Sequence, residues 1–252
     1  MIIWITGAGS GLGRELARQY AADGHRLVVS ARTAENLDSL ARECRDMPGE
    51  IIAQPCDVTD RRAVTDCVRK MVTEAGVPDR VILNAGTHIP SSLDRFDADI
   101  HQRLMEVNYM GVVHCLEAIL PALQERQHGQ IAIVSSLAAW RGLPYAGAYG
   151  ASKAALVTLA ESLRPELART GIDLRLVCPG FVRTPLTDRN EFHMPLLMET
   201  GDAAEAFRRG LEDNRFRIVF PRRMAWVMAL LRILPDRLFF RLSSKLLRSD
   251  DS

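Results

Sequence analysis

Short runs of consecutive apolar residues, many of them β-branched, recur along the chain. They fall at residues 2–6, 26–30, 51–56, 80–83, 130–135, 174–178 and 217–220. A strand that faces water on one side alternates apolar and polar positions; these runs are mostly uninterrupted, which predicts strands covered on both faces. Between them, apolar positions return every three or four residues at 12–22, 34–45, 61–74, 97–125 and 148–169, the spacing of helices with one buried face. Strands alternating with helices predict right-handed crossovers and a parallel sheet. The expected architecture is one doubly wound α/β domain of the Rossmann type over residues 1–252. Residues 221–252 form a basic and apolar helical extension, which Pro235 divides into two helices.

Composition narrows the function classes. A chain of 252 residues, 47% hydrophobic and 25% charged, is long enough for one substantial core. Its net charge of +1 gives no overall bias toward nucleic acid, so no nucleic-acid partner is expected. The cysteines Cys44, Cys56, Cys67, Cys115 and Cys178 are odd in number, scattered and without a CxxC pair, so they read as reduced core residues. No His, Asp or Glu spacing suggests a metal. The first residues show no leader pattern, and no run approaches the roughly 20 apolar residues of a spanning helix. A cytoplasmic location is expected.

The turn after the first strand reads Thr6-Gly7-Ala8-Gly9-Ser10-Gly11-Leu12-Gly13. Glycines are needed where backbone turns sharply and approaches a pyrophosphate closely, and the following helix aims free N–H groups at the phosphates. GxGxxG fails here, because Leu12 stands at its third glycine, and the lysine-bearing GxxxxGK[ST] loop of nucleotide triphosphatases fails as well. TGxxxGxG fits, through Gly7, Gly11 and Gly13. At the end of the second run, where a carboxylate would hold both ribose hydroxyls of NAD, the chain has Ser30-Ala31-Arg32. Arg32 suits a 2′-phosphate, with Ser30 adding a hydrogen bond, so NADP(H) is the expected cofactor; the alternative is a solvated arginine at a strand end.

The fifth run ends in Val134-Ser135-Ser136, and Tyr149 and Lys153 follow one helical turn apart on one face. A phenol with a pKa near 10 is a poor acid or base at neutral pH unless a neighbouring ammonium stabilises its anion. Ser136, at the end of a parallel strand, lies at the rim where such sheets bind ligands.

With TGxxxGxG, Asp57-Val58, Asn84-Ala85-Gly86, Asn108, Ser136, Tyr149/Lys153 and Pro179-Gly180, the chain resembles the short-chain dehydrogenase/reductase family, in its single-domain branch of about 250 residues, over roughly residues 1–185. The resemblance implies a seven-stranded sheet in the order 3-2-1-4-5-6-7. It implies Tyr149 as general acid in reduction and general base in oxidation, and Lys153 as the group that lowers its pKa and holds the nicotinamide ribose. Ser136 would orient the substrate carbonyl, and Asn108 would support a proton relay to Lys153. On the cofactor side it implies Gly7, Ser10, Gly11, Leu12 and Gly13 at the diphosphate, and Asp57 and Val58 at the adenine. Asn84, Ala85 and Gly86 would flank the adenine ribose, and Pro179, Gly180, Val182 and Thr184 would cover the nicotinamide. It further implies a homodimer or homotetramer, with 97–125 and 148–169 as the self-association helices. Each position also has a plainer reading: Asp57 as a helix cap, Asn84 and Gly86 as turn residues, Asn108 as a kink, Thr184 as a turn start.

Phe192, Met194, Pro195, Leu196, Leu197 and Met198 make the segment after Pro179-Gly180 apolar, and Trp140, Leu143 and Tyr145 stand ready to face it. An apolar small-molecule carbonyl or alcohol is the expected substrate. His88 and His193 read as structural. The extension mixes Arg222, Arg223, Arg232, Arg237, Arg241, Lys245 and Arg248 with a strong apolar pattern. Packing over the cleft or against another subunit is preferred there to peripheral membrane contact. The alternative to an enzyme is an NADP(H)-binding regulatory or scaffold protein that uses this extension for association.

Overall fold

The computed structural model describes residues 1–189 and 194–246. Seven strands, β1 (Ile2–Thr6), β2 (Arg26–Ser30), β3 (Glu50–Ala53), β4 (Arg80–Leu83), β5 (Gly129–Val134), β6 (Ile172–Pro179) and β7 (Arg217–Phe220), form one sheet in the order β3-β2-β1-β4-β5-β6-β7. Every neighbouring pair is parallel. The helices are α1 (Gly11–Ala22), α2 (Ala34–Glu43), α3 (Arg61–Glu74), α4 (Ala98–Met105), α5 (Gly111–Arg126), α6 (Gly147–Ala168), α7 (Thr200–Glu212), α8 (Arg222–Ile233) and α9 (Asp236–Ser243).

The uninterrupted apolar runs are explained by two cores, one on each face. Because successive strand side chains point to opposite faces, Ile3, Ile5, Leu27, Val29 and Ile82 pack with α1, α2 and α7. Trp4, Val28, Val81, Leu83, Ile131 and Ile133 pack on the other face with α3, α5, α6 and part of α8. All five cysteines are free and buried, and burial pushes the thiols of Cys115 and Cys178 up.

Three departures from the sequence pattern have physical causes. The third run is expected over 51–56 but the regular strand ends at Ala53; Gln54 and Cys56 still donate to the Val29 and Ala31 carbonyls, each at 2.9 Å, and Pro55 stands between them on the unpaired edge, where a proline is tolerated. The long helix expected over 97–125 is interrupted by a π turn, Glu106–Met110, between α4 and α5. A π turn adds a residue without ending the helix, so the flanking periodicity conceals it. Helix α7 was not expected at all. Its buried Ala203, Ala204, Phe207 and Leu211 repeat at helical spacing but include two alanines, a weak apolar signal. The ends of β5, β6, α2 and α6 shift by one or two residues.

Candidate active site

The loops at the carboxyl ends of β1, β4, β5 and β6 converge on one rim of the sheet. Thr6 begins the assembly: its buried hydroxyl accepts the backbone N–H groups of Asn84 and Ala85, each at 3.1 Å. Asn84 returns its Nδ2 to the carbonyl oxygens of Thr6 and Gly7 at 3.2 and 3.3 Å. The turn after β4 is thereby tied to the glycine turn after β1.

The glycine turn has no room for side chains. A β-carbon on Gly13 would lie 2.4 Å from the Gly7 carbonyl oxygen and 2.5 Å from Asn84 Nδ2. Gly7 and Gly11 also have φ of 69° and 53°, the left-handed region that favours glycine. Helix α1 starts at Gly11, and the exposed Ser10 at its N-cap makes no side-chain cap. Open N–H groups at a helix start, beside a backbone cleared of β-carbons, fit a diphosphate. The methyl of Thr184 lies 3.0 Å from the β-carbon position of Gly11, so the segment after β6 reaches the same turn, with Thr184 N–H donating to Thr187 Oγ1 at 3.0 Å. Val182 is buried and pairs with Met198, which closes that segment on itself.

At the end of β2 one expectation is corrected. Ser30 is 1% exposed, and its hydroxyl accepts the Trp4 indole N–H at 3.1 Å and lies 3.6 Å from Cys67 Sγ. The strand pleat turns it under α3, away from the rim, so it offers no hydrogen bond to a phosphate. Arg32, two residues on, is exposed and makes no ion pair among the described residues. Asp57 accepts the backbone N–H and hydroxyl of Thr59 at 2.9 and 2.8 Å. Burial works to raise its pKa, but those hydrogen bonds and the charges of Arg32 and Arg103 hold the carboxyl below its ordinary range. The cap of α3 is Asp60, which accepts from Arg62 and Ala63 N–H, so the plainer reading of Asp57 as that cap does not apply. Val58 is buried next to it.

The polar centre of the rim is built by β5 and α6. Ser136 caps the turn after β5, accepting the Ala138 N–H at 3.1 Å and donating to the Pro179 carbonyl oxygen at 3.5 Å, with its hydroxyl beside the Tyr149 phenol. Burial raises the Tyr149 pKa, and the neighbouring Ser136 hydroxyl opposes the rise. One turn along α6, Lys153 is 4% exposed, and its Nζ donates to the Val134 carbonyl oxygen at 2.9 Å. Burial lowers its pKa from 10.5 to about 8. Its Nζ lies 6.0 Å from the Tyr149 ring centre and 3.3 Å from the β-carbon position of Gly86.

Asn108 sits in the π turn and is fully buried. Its Oδ1 accepts the Thr87 N–H at 2.7 Å, while Nδ2 donates to the Thr87 carbonyl at 3.0 Å and to Ser152 Oγ at 2.9 Å. The Ser152 hydroxyl in turn donates a hydrogen bond to the Tyr149 backbone carbonyl at 2.8 Å. The π turn is thus locked both to the loop after β4 and to the helix that carries Tyr149.

Sequence reasoning missed Thr6, Thr87 and Ser152 as supports of this network. Only Ser152, three residues after Tyr149 on one helix, carried a signal of proximity. The imidazole of His88 meets the Tyr149 ring edge-on at 5.0 Å, which puts it inside the site. Trp140 and Leu143 pack on the core next to it. Met194 to Met198 follow the segment after β6, with Leu196 exposed; Phe192 and His193 lie outside the described residues. Among the described residues, no three His, Cys, Asp or Glu side chains come together as a metal site.

Fold and site together define a dinucleotide-binding oxidoreductase that acts on hydroxyl or carbonyl groups. The sequence profile of the short chain dehydrogenases matches residues 1–194, and the chain belongs to the short-chain dehydrogenase/reductase family. It is 37% identical over 235 residues to an uncharacterized oxidoreductase of Myxococcus xanthus, covering 93% of each chain. A short-chain dehydrogenase/reductase of Burkholderia phymatum, solved in complex with NAD, superposes with a TM-score of 0.83 at 26% identity, over 91% of this chain and 92% of that one. A short-chain dehydrogenase of Sphingobium yanoikuyae, solved in complex with NADPH, gives 0.80 at 26% identity, over 93% and 96%. A nicotinamide cofactor is common to both of these structures.

Proposed function

We propose that the chain is an NADPH-dependent carbonyl reductase or alcohol dehydrogenase that acts on an apolar small molecule. The observation that carries this reading is the buried Lys153 Nζ 6.0 Å from the Tyr149 ring centre, with Ser136 beside that phenol, on the same rim as the glycine turn. When bound, NADP(H) supplies or takes up the hydride. Ser136 orients the substrate oxygen, and Tyr149 delivers a proton to that oxygen in reduction or removes it in oxidation. In the free protein burial keeps the phenol protonated at neutral pH, the state that reduction needs. Lys153, redirected from the Val134 carbonyl, holds the nicotinamide ribose and eases ionisation of the phenol, while Asn108 fixes the π turn beside it for proton relay.

Gly7, Ser10, Gly11, Leu12 and Gly13 hold the diphosphate, and the exposed Arg32 grips a 2′-phosphate, which favours NADP(H). Asp57 and Val58 stand at the adenine, Asn84, Ala85 and Gly86 at its ribose, and Pro179, Gly180, Val182 and Thr184 at the nicotinamide. Apolar neighbours such as Trp140, Leu143 and Met198 favour an apolar substrate. The molecule works in the cytoplasm as a homodimer or homotetramer associated through α4, α5 and α6, which light scattering of the purified chain tests.

A panel of aldehydes and ketones, followed by NADPH absorbance, tests the reaction. Turnover of an apolar member with NADPH well ahead of NADH is expected; no turnover, with no dinucleotide uptake on titration, would overturn the proposal.

A further inference from the structure

Within the chain, the extension is covered on one side only. Helices α8 and α9 are anchored through their inner faces: Ala225, Met228 and Phe239 are buried, and Met224 lies against Gly180, where a β-carbon would come within 2.6 Å of its sulfur. Arg141 pairs with Asp236 at 2.5 Å and stacks over the Phe239 ring at 4.3 Å. The outer faces are different. Trp226 (78% exposed), Leu230 and Ile233 (76%) form a stripe along α8, with Arg222 one turn before Trp226 on the same line. On α9 the exposed Leu238 and Leu242 run beside the exposed Arg237 and Arg241, each pair one turn apart. Among the described residues nothing covers these side chains.

Charge selects the occupant. Residues 222–252 hold seven cations and three acids, a net charge of +4, so the remaining residues, 1–221, carry –3 against the whole-chain +1. The one acid within the two helices, Asp236, is already engaged by Arg141. A second copy docked face to face would bring the arginines of α8 and α9 against their counterparts with no free carboxylate on either helix between them, which like-charge repulsion opposes. Apolar and tryptophan side chains rimmed by arginines suit the boundary between acyl chains and anionic headgroups. No described helix is long and apolar enough to cross a membrane, so the contact is one of surface association.

We propose that the outer faces of α8 and α9 dock on an anionic lipid bilayer, with Trp226, Leu230 and Ile233 entering the interface and the arginines meeting the headgroups. The test is co-sedimentation of the full chain with vesicles of phosphatidylcholine alone or with about a third phosphatidylglycerol, at low and high salt. Binding to the anionic vesicles only, weakened by salt, is expected. R222Q/R223Q/R232Q should weaken partitioning roughly a hundredfold, since each basic residue near an anionic surface contributes about fivefold. W226E/L230E should weaken it further. Both variants should keep the wild-type dinucleotide affinity, a readout that shows the fold intact and is independent of any carbonyl substrate. Should W226E/L230E fold poorly, the arginine variant alone decides. Equal binding to neutral vesicles, no binding by the intact protein, or capture of the face by self-association without vesicle binding would each overturn the proposal.

Discussion

Lys153 Nζ donates to the Val134 carbonyl oxygen at 2.9 Å from a position only 4% exposed, and burial lowers its pKa from 10.5 to about 8. At about 1.36 kcal/mol for each pH unit, this is a cost to the ligand-free fold on the order of 3 kcal/mol while the ammonium is charged. The unfolded chain binds more protons than the folded one between about pH 8 and 10.5, so this lysine makes stability rise with pH across that window and has no such slope below it. K153M lacks the proton. Denaturant titrations of both proteins from pH 7 to 10.5 should show the wild type gaining roughly 3 kcal/mol on the variant. Parallel stability curves would mean that the lysine titrates normally.

Tyr149 is the proton donor in the proposed reaction, and most of the dinucleotide's proposed contacts lie on other residues. Y149F should therefore lower kcat for reduction at least a thousandfold while dinucleotide affinity stays within about threefold, measured by fluorescence titration. A variant retaining most of its rate would place the proton transfer elsewhere.

Ser136 opposes the burial that raises the Tyr149 pKa. Oxidation requires the phenolate, so its rate should increase with pH until the phenol is titrated, whereas reduction holds level at neutral pH. Removing the hydroxyl in S136A should move the alkaline rise of the oxidation profile to higher pH and reduce kcat ten- to a hundredfold. An unmoved profile with a reduced rate would leave Ser136 a substrate contact only.

How much of this was legible follows from the range over which each signal acts. Six of the seven strands lie within two residues of the apolar runs at both ends, because burial on both faces writes itself into consecutive residues; the third stops three residues early, at Ala53. The glycine turn, Ser136, Tyr149 and Lys153 were readable because each lies in a short motif with its own backbone demand. Ser30 was misjudged because the side to which a strand's last residue points depends on the pleat relative to its neighbours, here Trp4 on β1 and Cys67 on α3. The contacts of Thr87 with Asn108 and of His88 with Tyr149 join residues 21 and 61 positions apart, and no local pattern announces such pairs. The outward turn of Trp226 and Ile233 was likewise hidden, since both faces of α8 carry apolar residues and only packing shows which is covered.

Arg32 is exposed, unpaired among the described residues, and two positions beyond the end of β2. With Ser30 turned inward, it alone of the residues expected at the 2′-phosphate offers a side-chain donor, so the preference for NADP(H) should rest mainly on one guanidinium. A charge-assisted contact of this kind contributes about 1.5–3 kcal/mol, or roughly 10- to 150-fold in affinity. R32D should raise the KM for NADPH by about that factor, and NADH should gain, because the new carboxylate can accept from the ribose hydroxyls that NADP lacks in free form. S30A, by contrast, should leave the NADPH-to-NADH ratio unchanged and cost stability only through the lost Trp4 hydrogen bond. Steady-state kinetics of both variants with both cofactors separate these contributions. A wild type that prefers NADH, or an R32D that leaves the ratio untouched, would assign the cofactor to NAD and the arginine to the solvent.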